Sequence, residues 1–155
     1  MPPSRPHGVA TADQIAGRSG REVLDAMIAG ELPSPPMAET LGFGLIEVGD
    51  GFALFEGHPA PRLLNPMGIV HGGWALTLID SAAGCAAHSI LPADTGYTTV
   101  ETKVNFSRPI QATDGAVRAE GRVITRGRRI ITAEAKVIDA DGRTLAHGTS
   151  TLMVL

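Results

Sequence analysis

The sequence predicts an α+β protein in which one long helix is covered by an antiparallel sheet. Apolar and small residues follow one another almost without interruption from residue 72 to residue 91, whereas residues 99–155 alternate between apolar and polar side chains. The first pattern indicates a helix enclosed on most sides, and the second indicates strands with one buried face. A chain of 155 residues has the length of one domain.

The N-terminal part is predicted to be a flexible arm and a short helix over residues 1–36, with the main domain over residues 37–155. Prolines 2, 3 and 6 favour an irregular arm. The apolar spacing of residues 20–30 is helical, with Ser19 as its N-cap and Gly30 as its end. A proline-rich linker follows at residues 32–36.

The remaining elements follow in the order strand, strand, helix and four strands. Residues 42–48 and 52–57 flank Gly49-Asp50-Gly51, which predicts a hairpin. An irregular loop at 59–67 leads into the helix, and a turn at 139–142 precedes the last strand at 144–155. In the first strand after the helix, Val100, Thr102, Val104 and Phe106 are predicted to share the buried face.

Composition excludes several classes of function. A net charge of −3 argues against general nucleic-acid binding, and the lone Cys85 excludes an intrachain disulfide or a multi-cysteine zinc site. Residues 69–91 are long enough to span a membrane, but Asp80 at their centre argues against insertion. No apolar signal segment begins the chain. We therefore expect a cytoplasmic protein with no metal or cofactor and no membrane partner.

Asp80 needs an explanation, because burial of an ionised carboxylate costs several kcal/mol without a partner. It either lies at a wet edge, pairs with a distant arginine, or acts as a general base or nucleophile in a cleft. The helix begins at His71-Gly72-Gly73, where free N–H groups can stabilise an oxyanion. Gly72 and Asp80 are about 12 Å apart along one helix, so a site using both requires a two-fold dimer.

Residues 65–73, Asn-Pro-Met-Gly-Ile-Val-His-Gly-Gly, are followed by Asp80 nine residues after the histidine. This pattern resembles the signature of hotdog-fold acyl-CoA thioesterases, and most closely the phenylacetate-degradation and hydroxybenzoyl-CoA types. Residues 104–109, Val-Asn-Phe-Ser-Arg-Pro, are similar to a strand of that family. The resemblance covers about residues 40–155. It implies a hotdog fold, a homodimer with composite active sites, a homotetramer, and hydrolysis of an aryl- or medium-chain acyl-CoA.

The resemblance also implies roles for individual residues. Asp80 would be the base or nucleophile, and the Gly72 N–H would polarise the thioester carbonyl. Asn65 would position the reactants, His71 would support the loop or the thioester sulfur, and Thr99 would orient the attacking water. For Thr99 an ordinary outward strand position is the alternative.

Other basic and polar residues are assigned from the resemblance or from their position. Gly73 would contact substrate, and Arg126, Arg128 and Arg129 would bind the coenzyme A phosphates, unless they form an ordinary solvated turn. We expect Arg108 to be structural. His88 is expected to be packed in the core or at a dimer interface, and His147 is expected to lie in the core.

Two other functions stay open. A non-catalytic acyl-CoA sensor would bind the same ligand without turnover. A hotdog hydratase or dehydratase would use a differently spaced histidine and acid, which we do not find in the sequence.

Overall fold

A computed structural model describes residues 5–155, with three helices ahead of the first strand. The elements in chain order are α1 (Ala12–Ile15), α2 (Gly20–Ala29), α3 (Pro36–Leu41), β1 (Phe43–Gly49), β2 (Phe52–Gly57), a 3₁₀ turn (Pro61–Leu63), α4 (Gly72–His88), β3 (Tyr97–Phe106), β4 (Val117–Arg126), β5 (Ile130–Ile138) and β6 (Thr144–Val154). The predicted order of two strands, a long helix and four strands is confirmed.

The six strands form one sheet in the order β1-β2-β4-β5-β6-β3, and all neighbours are antiparallel. The chain leaves β2, crosses the sheet through α4 and enters the opposite edge as β3. One face of the sheet covers α4, which packs mainly on β4, β5 and β2. This is the helix wrapped by a sheet that defines the predicted hotdog fold.

Small residues allow α4 to lie close to the sheet. A Cβ atom added to Gly121 of β4 would lie 2.1 Å from the carbonyl oxygen of Ala82, so the helix backbone touches the strand there. Ala83, Ala86 and Ala87 on the same helix are fully buried. The core is therefore built by close approach of backbones as much as by large side chains.

The long helix ends at His88, three residues before the predicted end at Leu91. Pro92 disfavours helical backbone at the residue before it. The buried Ser89 hydroxyl also donates to the Ala86 carbonyl oxygen and accepts from the Gly51 N–H. Among residues 5–155, no helix is both long enough and apolar enough to cross a bilayer.

The N-terminal region contains more helix than the sequence predicts. Helix α2 begins and ends as predicted, with a Ser19 capping box and Gly30 in the left-handed region. Helices α1 and α3 are not predicted, although proline at the first position of α3 is compatible with a helix start. The predicted arm includes residues 1–4, which lie outside the described residues. The division at residue 36 stays a prediction.

Candidate active site

The Asp80 carboxylate is held on one side only. Its Oδ1 atom accepts hydrogen bonds from the hydroxyls of Thr99 at 3.0 Å and Thr102 at 3.1 Å. Within residues 5–155, Oδ2 accepts no hydrogen bond, and none of the salt bridges involves Asp80. A half-buried carboxylate with one fixed oxygen and one free oxygen is suited to take a proton or attack a carbonyl.

A β-bulge in β3 brings both threonines to Asp80. The register against β6 shifts between Thr99 and Glu101, so residues three apart face the same side of the sheet. Val100 is the extra residue and is 58% exposed. The predicted burial of Val100 is therefore wrong, and so is the alternative that Thr99 is an outward strand residue.

A third hydroxyl, that of Ser150, lies within hydrogen-bond distance of Thr102. The Ser150 oxygen lies 3.0 Å from the Thr102 oxygen and 3.1 Å from the Glu101 carbonyl oxygen, and Ser150 is buried. Ser150 donates to the Glu101 carbonyl oxygen. Because a hydroxyl has one proton, Thr102 can donate to Asp80 and accept from Ser150 only when the Ser150 proton turns from that carbonyl to Thr102. Sequence reasoning missed Thr102 and Ser150, because alternation in β3 assigns Thr102 to the apolar core face.

The N-terminus of α4 offers one free backbone donor. His71 is the N-cap, and its Nδ1 atom accepts the Gly73 N–H at 2.9 Å. The Gly73 donor is therefore engaged in the cap, whereas the Gly72 N–H donates to no group in the described chain. Because Nδ1 accepts, a neutral His71 carries its proton on Nε2.

The side chain of Asn65 holds the loop that precedes α4. Its Oδ1 atom accepts the N–H groups of Met67 at 2.9 Å and Ile69 at 3.3 Å, an Asx-type turn. Gly68 occupies the left-handed region with φ +80° inside that turn. These bonds assign the oxygen of the Asn65 amide, and its NH₂ group stays available at the loop surface.

A cleft of about 340 Å³ opens at this end of the helix, lined by Asn65, His71, Gly72, Phe106 and Arg108 among others. A Cβ atom on Gly72 would lie 3.1 Å from the Phe106 ring, so the missing side chain lets the ring pack close to the start of α4. Phe106, predicted to be buried, is 59% exposed because it forms the cleft wall. Arg108, expected to be structural, is exposed and lines the same cleft.

The two halves of the predicted site do not meet within one chain. Gly72 and Asp80 belong to the same helix, about 12 Å apart along its axis. On β3, the Asp80 partners Thr99 and Thr102 are the third and sixth of ten residues, and Phe106 is the last. The structure thus brings Asn65, His71 and Gly72 together at one place, and Asp80 and Thr99 at another.

The predicted phosphate-binding arginines are not among the residues that line this cleft. Arg126 pairs with Ile131, which pairs with Leu152, which pairs with Thr99. Arg126 is therefore three strand spacings, about 14 Å, from Thr99. Arg126 and its neighbours Arg128 and Arg129 are exposed at the β4–β5 turn and form none of the salt bridges of residues 5–155.

Cys85, His88 and His147 have no catalytic geometry. Burial raises the pKa of the Cys85 thiol to about 12, with a smaller contribution from Asp80, so the thiol stays protonated at neutral pH. His88 packs on the Tyr97 ring, and burial lowers its pKa. His147 is exposed, so its predicted core position is wrong: the buried side of β6 carries the even-numbered residues from 146 to 152.

Comparison with known proteins gives consistent matches to one group. The sequence pattern of the thioesterase superfamily matches residues 67–146. A thioesterase family protein from Silicibacter pomeroyi is similar in structure, with a TM-score of 0.75 and 30% identity, covering 85% of this chain and 98% of that one. A phenylacetic acid degradation-related protein from Ralstonia eutropha has a TM-score of 0.76 and 29% identity, covering 84% and 98%.

Two curated relatives are also similar. A 1,4-dihydroxy-2-naphthoyl-CoA hydrolase of Listeria monocytogenes is 26% identical over 118 residues, which are 76% of this chain and 94% of that one. A Saccharolobus solfataricus protein, whose name assigns it only provisionally to the esterases, is 33% identical over 88 residues. That match covers 57% of this chain and 61% of the archaeal protein.

Proposed function

Since this chain belongs to the thioesterase superfamily and is a thioester hydrolase, we propose that it converts an aryl- or medium-chain acyl-coenzyme A to the free acid and coenzyme A. The observation that carries the proposal is the Asp80 carboxylate, with Oδ1 fixed by two hydroxyls and Oδ2 free. Such a group is ready to react without first being reoriented.

The chemistry needs a base or nucleophile and a site for the developing negative charge. Asp80 Oδ2 takes a proton from water as the water oxygen attacks the thioester carbon, or Oδ2 attacks that carbon itself. The C–S bond then breaks and coenzyme A leaves as the thiolate. Where Oδ2 itself has attacked, water then hydrolyses the resulting anhydride between Asp80 and the acyl group, which releases the free acid and restores the carboxylate. The Gly72 N–H, supported by the partial positive charge of the α4 N-terminus, donates to the carbonyl oxygen as it becomes an oxyanion.

We propose that the site is shared between two copies of the chain. Strand β3 is an edge strand of ten residues. Thr99 lies near its start, Thr102 just past its middle, and Phe106, beside Gly72, at its end. An antiparallel two-fold pairing of two β3 edges places the Thr99 half of one strand against the Phe106 end of the other. Asp80 of one copy then approaches the cleft of the second copy. Assembly of two such dimers into a tetramer is part of this proposal.

We assign binding of the coenzyme A phosphates to exposed arginines. Arg126, Arg128 and Arg129 have guanidinium groups free of carboxylates within residues 5–155, and forked guanidinium groups suit phosphate oxygens. Arg108, at the cleft, is a further candidate for the phosphates. The names of the Listeria and Ralstonia proteins support an aromatic acyl group.

The test is thiol release from benzoyl-, phenylacetyl-, hexanoyl- and decanoyl-CoA, with Asp80→Ala and Asp80→Asn run beside the wild type. We expect both variants to fold and to lose at least about a hundredfold in kcat, because removing a general base alone costs about that much. Asp50→Asn, on an exposed carboxylate at the β1–β2 turn, is the matched control and should keep wild-type turnover.

Each other outcome is informative. If Asp80→Ala retains near-normal turnover, the proposed mechanism is wrong. If the wild type binds these acyl-CoAs tightly but releases no thiol from them, the chain is a sensor on the same fold.

A further inference from the structure

Tyr97, the first residue of β3, packs on α4 on the C-terminal side of Asp80. Its hydroxyl oxygen is 2.6 Å from where a Cβ atom of Gly84 would be. Gly84 is four residues after Asp80, so it lies on the same helix face about 6 Å further along. The phenol therefore lies over the helix face that carries Asp80, about one helical turn beyond the carboxylate.

The tyrosine ring is fixed from two sides. Beyond its contact with Gly84, it packs on the imidazole of His88 with 5.5 Å between ring centroids and an interplanar angle of 50°. Burial raises the pKa of the Tyr97 phenol, with further contributions from Cys85 and Asp80, so the hydroxyl is neutral at physiological pH. Tyr97 is thus a neutral and well-packed wall.

On the other side of this wall lies a groove of about 620 Å³. Its far side is formed by the N-terminal helices, including Ile15, Ala16 and Val23, which precede the part of the chain matched by the superfamily pattern. Two backbone contacts fasten this segment to the core: the Gly17 N–H donates to Asp94 Oδ1 at 3.0 Å and the Gly20 N–H to the Leu91 carbonyl at 3.1 Å.

We propose that Tyr97 is the end wall of the acyl pocket and limits the substrate to a single aromatic ring or to the shorter medium-length chains such as hexanoyl. The groove behind it is the space into which a longer acyl chain extends once the wall is removed. This inference rests on the proposed function, because it assumes that the reacting carbonyl is held at Asp80.

The experiment measures kcat/KM for decanoyl-CoA and benzoyl-CoA and compares their ratio between variants. Tyr97→Ala is expected to raise the decanoyl-to-benzoyl ratio at least tenfold, because the chain gains a path into the groove. Tyr97→Phe keeps the ring and is expected to keep the wild-type ratio. Tyr97→Leu, which keeps apolar packing against His88, gives the same test should the alanine variant fail to fold.

A second substitution tests where the chain goes. Ile15→Trp fills the groove from the N-terminal side, and in the Tyr97→Ala background it should abolish most of the gain with decanoyl-CoA. An unchanged ratio in both Tyr97→Ala and Tyr97→Leu, with benzoyl-CoA still hydrolysed, would overturn the end-wall inference alone. An equal shift in Tyr97→Phe would also overturn it. No thiol release by the wild type from any acyl-CoA would overturn the proposed function instead.

Discussion

At the scale of single residues, the arrangement around Asp80 shows how a carboxylate is kept in an apolar helix. Burial disfavours the ionised form, and each hydrogen bond from a hydroxyl to a charged group contributes about 1.5–3 kcal/mol in its favour. Thr99 and Thr102 both donate to Oδ1. The same two bonds fix the plane of the carboxylate, so stabilisation and orientation have one cause.

Thr102→Val tests this arrangement, because valine keeps the shape of threonine and removes the hydroxyl. We expect kcat/KM for the best acyl-CoA to fall about tenfold, the equivalent of one weak charge-assisted hydrogen bond. Thr98→Val on the same strand, where the side chain is exposed, is the matched control and should stay within about twofold. Equal activity of the Thr102 and Thr98 variants would show that the hydroxyl of Thr102 does not orient Asp80.

At the scale of elements, two local irregularities decide what faces the site. The bulge between Thr99 and Glu101 breaks the alternation of β3, so that Thr99 and Thr102 face Asp80 together. The close approach of α4 to β4 depends on the missing side chain of Gly121, against the Ala82 carbonyl. Both features set the position of Asp80 relative to the sheet.

Gly121→Ala tests the close approach of helix and strand. A Cβ atom at 2.1 Å from backbone cannot be accommodated by a side-chain rotation, so α4 or β4 has to move. We expect the free energy of unfolding in urea to fall by about 3 kcal/mol or more, at or beyond the upper end for overpacking.

The matched control for that variant is Gly44→Ala in β1. Nothing lies within 4 Å of a Cβ atom added there, so we expect a change within about 0.5 kcal/mol. A Gly121 variant as stable as the Gly44 variant would mean that the helix moves freely on the sheet.

At the scale of the whole molecule, the site is incomplete in one copy of the chain. Asp80 and the Gly72 N–H are held apart by two turns of a rigid helix, so no small movement can bring them to one carbonyl carbon. The open edge of β3 runs past both groups. A second copy paired at this edge is therefore part of the proposed catalytic unit.

Complementation between two inactive variants tests the composite site. Gly72→Pro removes the backbone donor at the first helical position, where proline is tolerated, and Asp80→Ala removes the carboxylate. Each alone is expected to be inactive. A mixed dimer with a composite site has one intact site, so co-expression should restore up to about half of the wild-type turnover per mixed dimer, measured by thiol release.

Gly72→Ala is the matched control for the proline variant, since it adds a similar Cβ atom beside Phe106 but keeps the N–H. It should retain most of its activity. Two affinity tags verify that mixed dimers have formed. If these mixed dimers are inactive, Asp80 and Gly72 belong to separate sites or take no part in the mechanism. An active monomer in analytical ultracentrifugation would also contradict the composite site.

The sequence by itself determined the α+β class, the order of the main elements, and Asp80 and the start of α4 as the points of chemical interest. These follow from side-chain period, caps and the cost of a carboxylate in an apolar helix, which are local properties of the chain. Tertiary structure alone decided that Thr102 and Ser150 support Asp80 and that Tyr97 closes the space beside Gly84. The reason is that the one-residue bulge at Val100 changes which side chains of β3 face the helix. The bulge is set by pairing with β6, whose residues are far from β3 in the sequence.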